Sequence, residues 1–250
     1  MGFMDGFKAN QLGTKAYRTH VSALQMKQQG KYRECMEKLE EAYRLYGEAY
    51  KMGFRKSSAL TSYGILSMQM GNFEQARELM LEAAKDKSMN EQDRFTLRVN
   101  FAICQWKMGK LDKAIETIRM ASQHKMNGLV YTTLGMLLVD QARQTGDFTE
   151  AIEFNQKAMD YDDEDPVALD NLAQTYYRLL GDKEKALEYF TKAHEYKESQ
   201  IDTLWFLSRY DLEKGDTKAA IEKLEKAANG RFSPLNYKTK AEIEQELATL

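Results

Sequence analysis

Proline and cysteine are nearly absent from this 250-residue chain, which has 2 of each and only 3 histidines. With Pro166 and Pro234 as the only prolines, long helical runs are permitted, because proline is the costliest residue in a helix interior. Cys35 and Cys104 are too few for a disulfide framework, and both fall on core-facing helix positions, where small buried hydrophobes are expected. No Asn-x-Ser/Thr sequon occurs either. Together these scarcities point to a reducing, intracellular compartment. The longest nearly apolar run, 128–139, includes Thr132 and Thr133 and is too short to span a bilayer. The opening MGFMDGFKANQ has neither an apolar signal core nor the Ser/Thr of a myristoylation motif. The expected location is cytoplasmic, the alternative being the soluble part of a membrane-anchored protein if the N-terminus is truncated.

Catalytic vocabulary is missing too. No phosphate-binding glycine loop, dinucleotide fingerprint or zinc helix motif occurs. His20, His124 and His194 are far apart, and His194-Glu195 lacks the second histidine of a zinc helix. Asp160, Asp162 and Glu164 resemble the start of a calcium loop. However, Asp165 stands where the loop needs glycine, and Asn171 where it needs a bidentate Glu. That stretch reads instead as a solvated acidic turn supplying negative charge to a helix that begins at Pro166. A formal net charge of −2 argues against general nucleic-acid binding, which depends on a basic surface. The reading is of a non-enzymatic protein with no cofactor and no metal.

What is present is a rhythm. Gly30, Gly71, Gly109, Gly146, Gly181 and Gly215 are each followed five positions later by a small residue: Cys35, Ala76, Ala114, Ala151, Ala186 and Ala220. Seven positions beyond each of those stands Ala42, Ala83, Ala121, Ala158, Ala193 or Ala227. The glycines suit left-handed caps that end a helix. The small residues let a second helix approach its neighbours closely, since a bulky side chain there would overpack by about 1–3 kcal/mol. The first set of small residues is separated by 41, 38, 37, 35 and 34 positions, irregular at first and regular towards the C-terminus. From Gly135 to Gly146 the spacing is eleven against seven from Ala102 to Gly109, which predicts a first helix one turn longer in the fourth pair.

The most regular stretch, DPVALDNLAQTYYRLLGDKEKALEYFTKA from Asp165 to Ala193, resembles a tetratricopeptide repeat, whose pattern recurs at about 34 residues. Leu169 replaces the usual Trp and Ala173 the usual Gly. Elsewhere Cys35 replaces Ala, Asn155 replaces Phe, and Asp163 stands where proline is common, with Pro166 three residues on. The resemblance covers residues 14–229 and implies an all-α, right-handed solenoid of about six helix-turn-helix repeats. Their expected bounds are 14–52, 57–86, 91–125, 127–161, 165–197 and 200–229. Residues 1–13 are unassigned. Residues 230–250 form a linker and a C-terminal capping helix with Ile243 and Leu247 inward, as a repeat array requires.

The family's binding surface is the concave face lined by the first helix of each pair. By that resemblance the partner-binding candidates are Thr61, Ile65 and Met68; Val99, Ile103 and Trp106; and Thr132, Met136 and Val139. Asp170, Gln174 and Tyr177 follow, with Trp205 and Arg209 at the far end. His20, Leu24, Lys27 and Leu212 occupy the corresponding terminal positions. The strip is apolar in the middle repeats and polar towards the C-terminus. Either it takes a peptide or partner helix, or the repeats wind tightly and these residues pack on adjacent helices. Thr61, Ser62, Val99 and Asn100 do not make the carboxylate clamp of chaperone-tail binders. The reading is an interaction scaffold that binds a protein or peptide in the concave groove. The alternative is a self-assembling homo-oligomeric scaffold, and a peptide-sensing regulator is less favoured.

Overall fold

The computed structural model describes residues 3–250. These contain thirteen α-helices and no strand, the repeated helix-hairpin architecture that the glycine rhythm predicts. They fall into two compact units that divide after Met108.

The first unit holds α1 (Phe3–Gln28), α2 (Tyr32–Lys51), α3 (Ser57–Gln69), α4 (Phe73–Ala83) and α5 (Glu91–Lys107). Helices α1 and α2 form one hairpin, α3 and α4 a second, and α5 packs on that second pair. Helix α1 runs through most of the segment that the periodicity leaves unassigned. Met1 and Gly2 of that segment lie outside the described residues. The reason is a stripe of small residues, Ala9, Gly13, Ala16 and Ala23, all buried. Gly13 is required by contact: a Cβ there would lie 2.2 Å from the ring of Phe54.

Four tyrosines knit α2 to α3. Tyr43, Tyr46 and Tyr50 surround Tyr63 at ring separations of 5.3, 6.1 and 6.3 Å. Two of their hydroxyls reach α4, Tyr43 donating to Gln75 at 2.8 Å and Tyr50 to Glu82 at 2.8 Å. Burial pushes the Tyr46 hydroxyl up to about 12, so it stays neutral in ordinary buffers.

The second unit holds α6 (Leu111–Ser122), α7 (Gly128–Thr145), α8 (Thr149–Tyr161) and α9 (Pro166–Thr175). Then come α10 (Lys183–Tyr196), α11 (Ile201–Glu213), α12 (Thr217–Ala228) and α13 (Lys240–Leu247). Hairpins α7/α8, α9/α10 and α11/α12 stack in chain order, and α13 rests on α12. Asp165 caps α9 by accepting from the N–H groups of Val167 and Ala168 at 2.7 and 3.3 Å, with Pro166 in the first turn. The acidic turn thus supplies a helix cap.

The six repeat glycines all have positive φ, between +67° and +79°, where a side chain would be strained. All twelve small residues of the rhythm are buried, none more than 1% exposed. The irregular spacings have distinct structural solutions. The eleven-residue interval is absorbed by α7, which runs on to Thr145 after Gly135 where α5 ends at Lys107 after Ala102. Because α5 starts earlier, the two helices differ in total length by one residue, 18 against 17. Between Ala173 and Gly181 the interval is eight, one more than the basic seven. The extra residue becomes a π-helical turn, Tyr176–Leu180, at the end of α9.

Candidate functional site

The fourteen nominated side chains divide by burial. Thr61, Met68, Val99, Ile103, Thr132, Met136, Val139, Asp170 and Gln174 are buried. Ile65, Trp106, Tyr177, Trp205 and Arg209 are half-buried. The two threonines of the buried set bond back into their own helices, Thr61 donating to the Ser57 carbonyl at 3.0 Å and Thr132 to that of Gly128 at 2.8 Å. For this set, packing within the chain accounts for the residue type. Among the terminal positions His20 meets the Tyr46 ring edge-on at 6.2 Å, while Leu24 and Lys27 are exposed. In the first unit the half-buried pair is Ile65 on α3 and Trp106 on α5, with the Lys107 ammonium 4.0 Å from the indole centroid.

The second unit builds a continuous polar relay across its first helices. Arg178, on the π-helical turn, donates to Asp140 of α7 at 2.5 Å and to the side-chain amide oxygen of Gln174 at 2.9 Å. Gln174 donates to Asp170 at 2.7 Å, and Thr203 of α11 donates to the other Asp170 oxygen at 2.6 Å. The relay thus ties α7, α9 and α11 together through largely buried groups. Burial, and then the neighbouring Asp202 carboxylate, hold the Asp170 carboxyl above its ordinary value, against the hydrogen bonds from Thr203 and Gln174. Tyr177 packs edge-on against Phe190, Phe206 and Tyr210 at 6.4, 5.2 and 5.9 Å.

Over this relay lies the segment that follows α12. Asp202, at the start of α11, accepts from the backbone N–H groups of Tyr237 (2.9 Å) and Lys238 (3.3 Å) and from the Asn236 amide (3.0 Å). The Tyr237 ring stacks on Phe206 at 5.6 Å, and the Arg178 guanidinium sits 4.3 Å from its centroid. Beyond it, Glu246 of α13 pairs with Arg209 and accepts from the Trp205 indole N–H at 2.8 Å. Arg209 in turn lies 4.7 Å from the Trp205 ring centroid. Two of the nominated residues, Trp205 and Arg209, are therefore engaged by the chain's own C-terminal segment.

Sequence reasoning missed three members of this site, Arg178, Asp202 and Tyr237. For Arg178 a signal existed, the eight-residue interval to Gly181. For Tyr237 there was none, since residues 231–239 carry no periodicity.

No described group of three or more His, Cys, Asp or Glu side chains could hold a metal ion. No described helix is long and apolar enough to cross a membrane.

Residues 168–200 match the tetratricopeptide repeat family, and the fold of the chain is that of tetratricopeptide-repeat proteins. No curated protein matches the sequence. The thermophilic tetratricopeptide-repeat protein TTC0263 of Thermus thermophilus is similar with a TM-score of 0.62 at 17% identity, over 77% of this chain and 97% of that one. Another similar chain comes from the APC/C hetero-tetramer Cut9-Hcn1, with TM-score 0.59 and 16% identity over 98% of this chain and 46% of that chain. PilF of Pseudomonas aeruginosa gives 0.54 at 15% identity over 97% of this chain and all of that one (100%). Likeness at these identities establishes the fold alone.

Proposed function

We propose that this chain is a non-enzymatic interaction scaffold that binds a peptide or protein partner on the faces of its first helices. One observation carries the reading. In the second unit that face holds a non-helical stretch of polypeptide through a carboxylate on two backbone N–H groups and a ring-stacking slot, and the helix that follows through an arginine. Hydrogen bonds to a peptide's backbone combined with a side-chain pocket are one recurring means of recognising an extended peptide. On this reading Ile65 and Trp106 are the contact residues of the first unit, and Tyr177, Trp205 and Arg209 those of the second.

Affinity capture from native extract tests this with three baits: the wild-type chain, an I65E/W106E variant and an R209E variant. Proteins that the wild type retains and a variant loses, at unchanged far-UV circular dichroism, support the reading. Equal retention by all three refutes it.

Self-assembly is the second reading, favoured by three large apolar side chains left exposed along α1: Phe7, Tyr17 and Leu24, at 60%, 58% and 43%. Static light scattering over a concentration series decides it. A monomer mass throughout excludes it, and a dimer abolished by Y17E/L24E supports it.

A further inference from the structure

The segment 232–250 is anchored in the core at one point, Ile243 against Ile201, Leu204 and Leu224, and is otherwise held by contacts of the kind a ligand makes. Within α13 only Ile243 is buried, joined at its edge by the partly buried Leu247 and Phe232. The remaining contacts are directional and polar or aromatic, and they are spread over several residues of the first-helix face. Tyr237 is held between the Phe206 ring and the Arg178 guanidinium, with Trp205 edge-on at 5.7 Å. The Glu246 carboxylate is held by Arg209 and the Trp205 indole. The Lys238 ammonium lies 4.8 Å from the other component of that slot, the Trp205 ring centroid. Charge is complementary at one point: Arg209 of the face pairs with Glu246 of α13, while Arg178 meets the segment through the Tyr237 ring.

We infer that residues 232–250 are a displaceable internal occupant of the second unit's binding face, and that the partner for this face is a protein segment pairing an aromatic ring with a carboxylate. The inference rests on the scaffold reading and names its ligand chemistry. While the segment is seated, Asp202, Trp205, Phe206 and Arg209 are committed to it, so a partner binds only as the segment leaves. Hydrogen bonds to a carboxylate and ring stacking are exchangeable interactions, because a competing ligand of the same chemistry can replace each in turn. The π-helical turn contributes directly, since it bears the Arg178 that covers Tyr237, and such turns recur at binding sites.

The test keeps the chain whole during folding. A specific protease site is placed at the exposed turn beside Asn229, the purified protein is cut once, and a fluorescein-labelled peptide of residues 232–250 is added in excess. Exchange of the labelled peptide for the native segment is expected, with far-UV circular dichroism unchanged. Peptides carrying Y237A or E246K should bind at least ~10-fold more weakly, which corresponds to about 1.4 kcal/mol each. Three results overturn the proposal: a segment that never exchanges, loss of helicity beyond that of α13 itself as it departs, or equal binding by wild-type and substituted peptides. Because no outside partner is used, failure here leaves the capture experiment on the first unit to decide the scaffold reading separately.

Discussion

Gly135 and Asn155 should behave as one structural element, and the pair offers the sharpest check on how the second unit is held together. A Cβ at Gly135 would fall 2.3 Å from the Asn155 side-chain oxygen and 3.3 Å from the Asn171 amide nitrogen. Neither neighbour can yield easily. The Asn155 amide donates to the carbonyls of Ala151 at 2.9 Å and Gly135 at 3.3 Å, and Asn171 donates to that of Thr132 at 2.8 Å. Both side chains are wholly buried.

Overpacking of a filled interior costs about 1–3 kcal/mol, and loss of the hydrogen bond to Gly135 adds about 1 kcal/mol. Replacing a helical glycine by alanine returns about 1 kcal/mol. Gly135→Ala should therefore destabilise by about 1–3 kcal/mol as the net of these terms. In an Asn155→Ala background the obstructing oxygen is gone, and the same substitution should become neutral or stabilising by up to about 1 kcal/mol. The coupling energy is then about 1–4 kcal/mol, above the scatter of about 0.3–0.5 kcal/mol expected of independent sites. Urea unfolding read by fluorescence gives the numbers, with a Trp106→Phe background leaving Trp205 to report on the second unit alone. Additive effects of G135A and N155A would refute the packing argument.

Three further outcomes follow from the same contacts. Asp170 is held more protonated in the folded chain than in the unfolded one, so stability should fall as pH rises from the ordinary carboxylate value to the raised one, then level off. D170N removes that slope, so its effect on the unfolding midpoint should be more favourable at pH 8 than at pH 4, and an equal effect at both would refute the assignment. Ile243→Ala empties the one wholly buried position of α13, costing about 2–5 kcal/mol at a fully packed site. Amide exchange should quicken in α12 while α7 is unchanged, because neighbours in a stack couple only locally, and equal quickening in both would contradict that. Gly181→Ala meets no neighbouring atom but sits at φ +67°, so it should cost about 1–2 kcal/mol through backbone strain alone, which a denaturation midpoint shift measures.

How much of this could be read from the sequence follows from the physics of each feature. Repeat packing needs a small residue wherever two helices approach closely, and a left-handed glycine wherever a hairpin turns. Both requirements recur at fixed intervals, so Gly71, Ala76 and Ala83 announce themselves beside Gly181, Ala186 and Ala193. Burial of the first-helix face was not legible. Met68, Trp106 and Met136 sit at comparable positions and share an apolar type, yet Met68 and Met136 are buried and Trp106 is half-buried. That difference is set by which neighbour fills the adjacent space, information that one residue's type does not carry. The return of the C-terminal segment was hidden for a related reason. Tyr237 and Arg178 meet across 59 positions, between a loop without periodicity and a helix end displaced by one residue.

The departures from regularity therefore have a common location. In the second unit the first helices depart from the repeat pattern by the longer C-terminal run of α7, by one inserted residue absorbed as a π-helical turn, and by buried polar side chains at Asp170, Gln174 and Thr203. A stack optimised only for stability would gain by filling these positions with apolar residues, since buried polar groups at best break even against well-packed hydrophobic ones. Here they fix the directions of Arg178 and of α11, and these in turn present the guanidinium, carboxylate and indole that grip residues 236–246. Local rules are broken where a binding surface must be held in one geometry. On the scaffold reading proposed above, the same logic would put the working face of this unit on α9 and α11, with the relay beneath it the part that substitution should disturb without unfolding the hairpins.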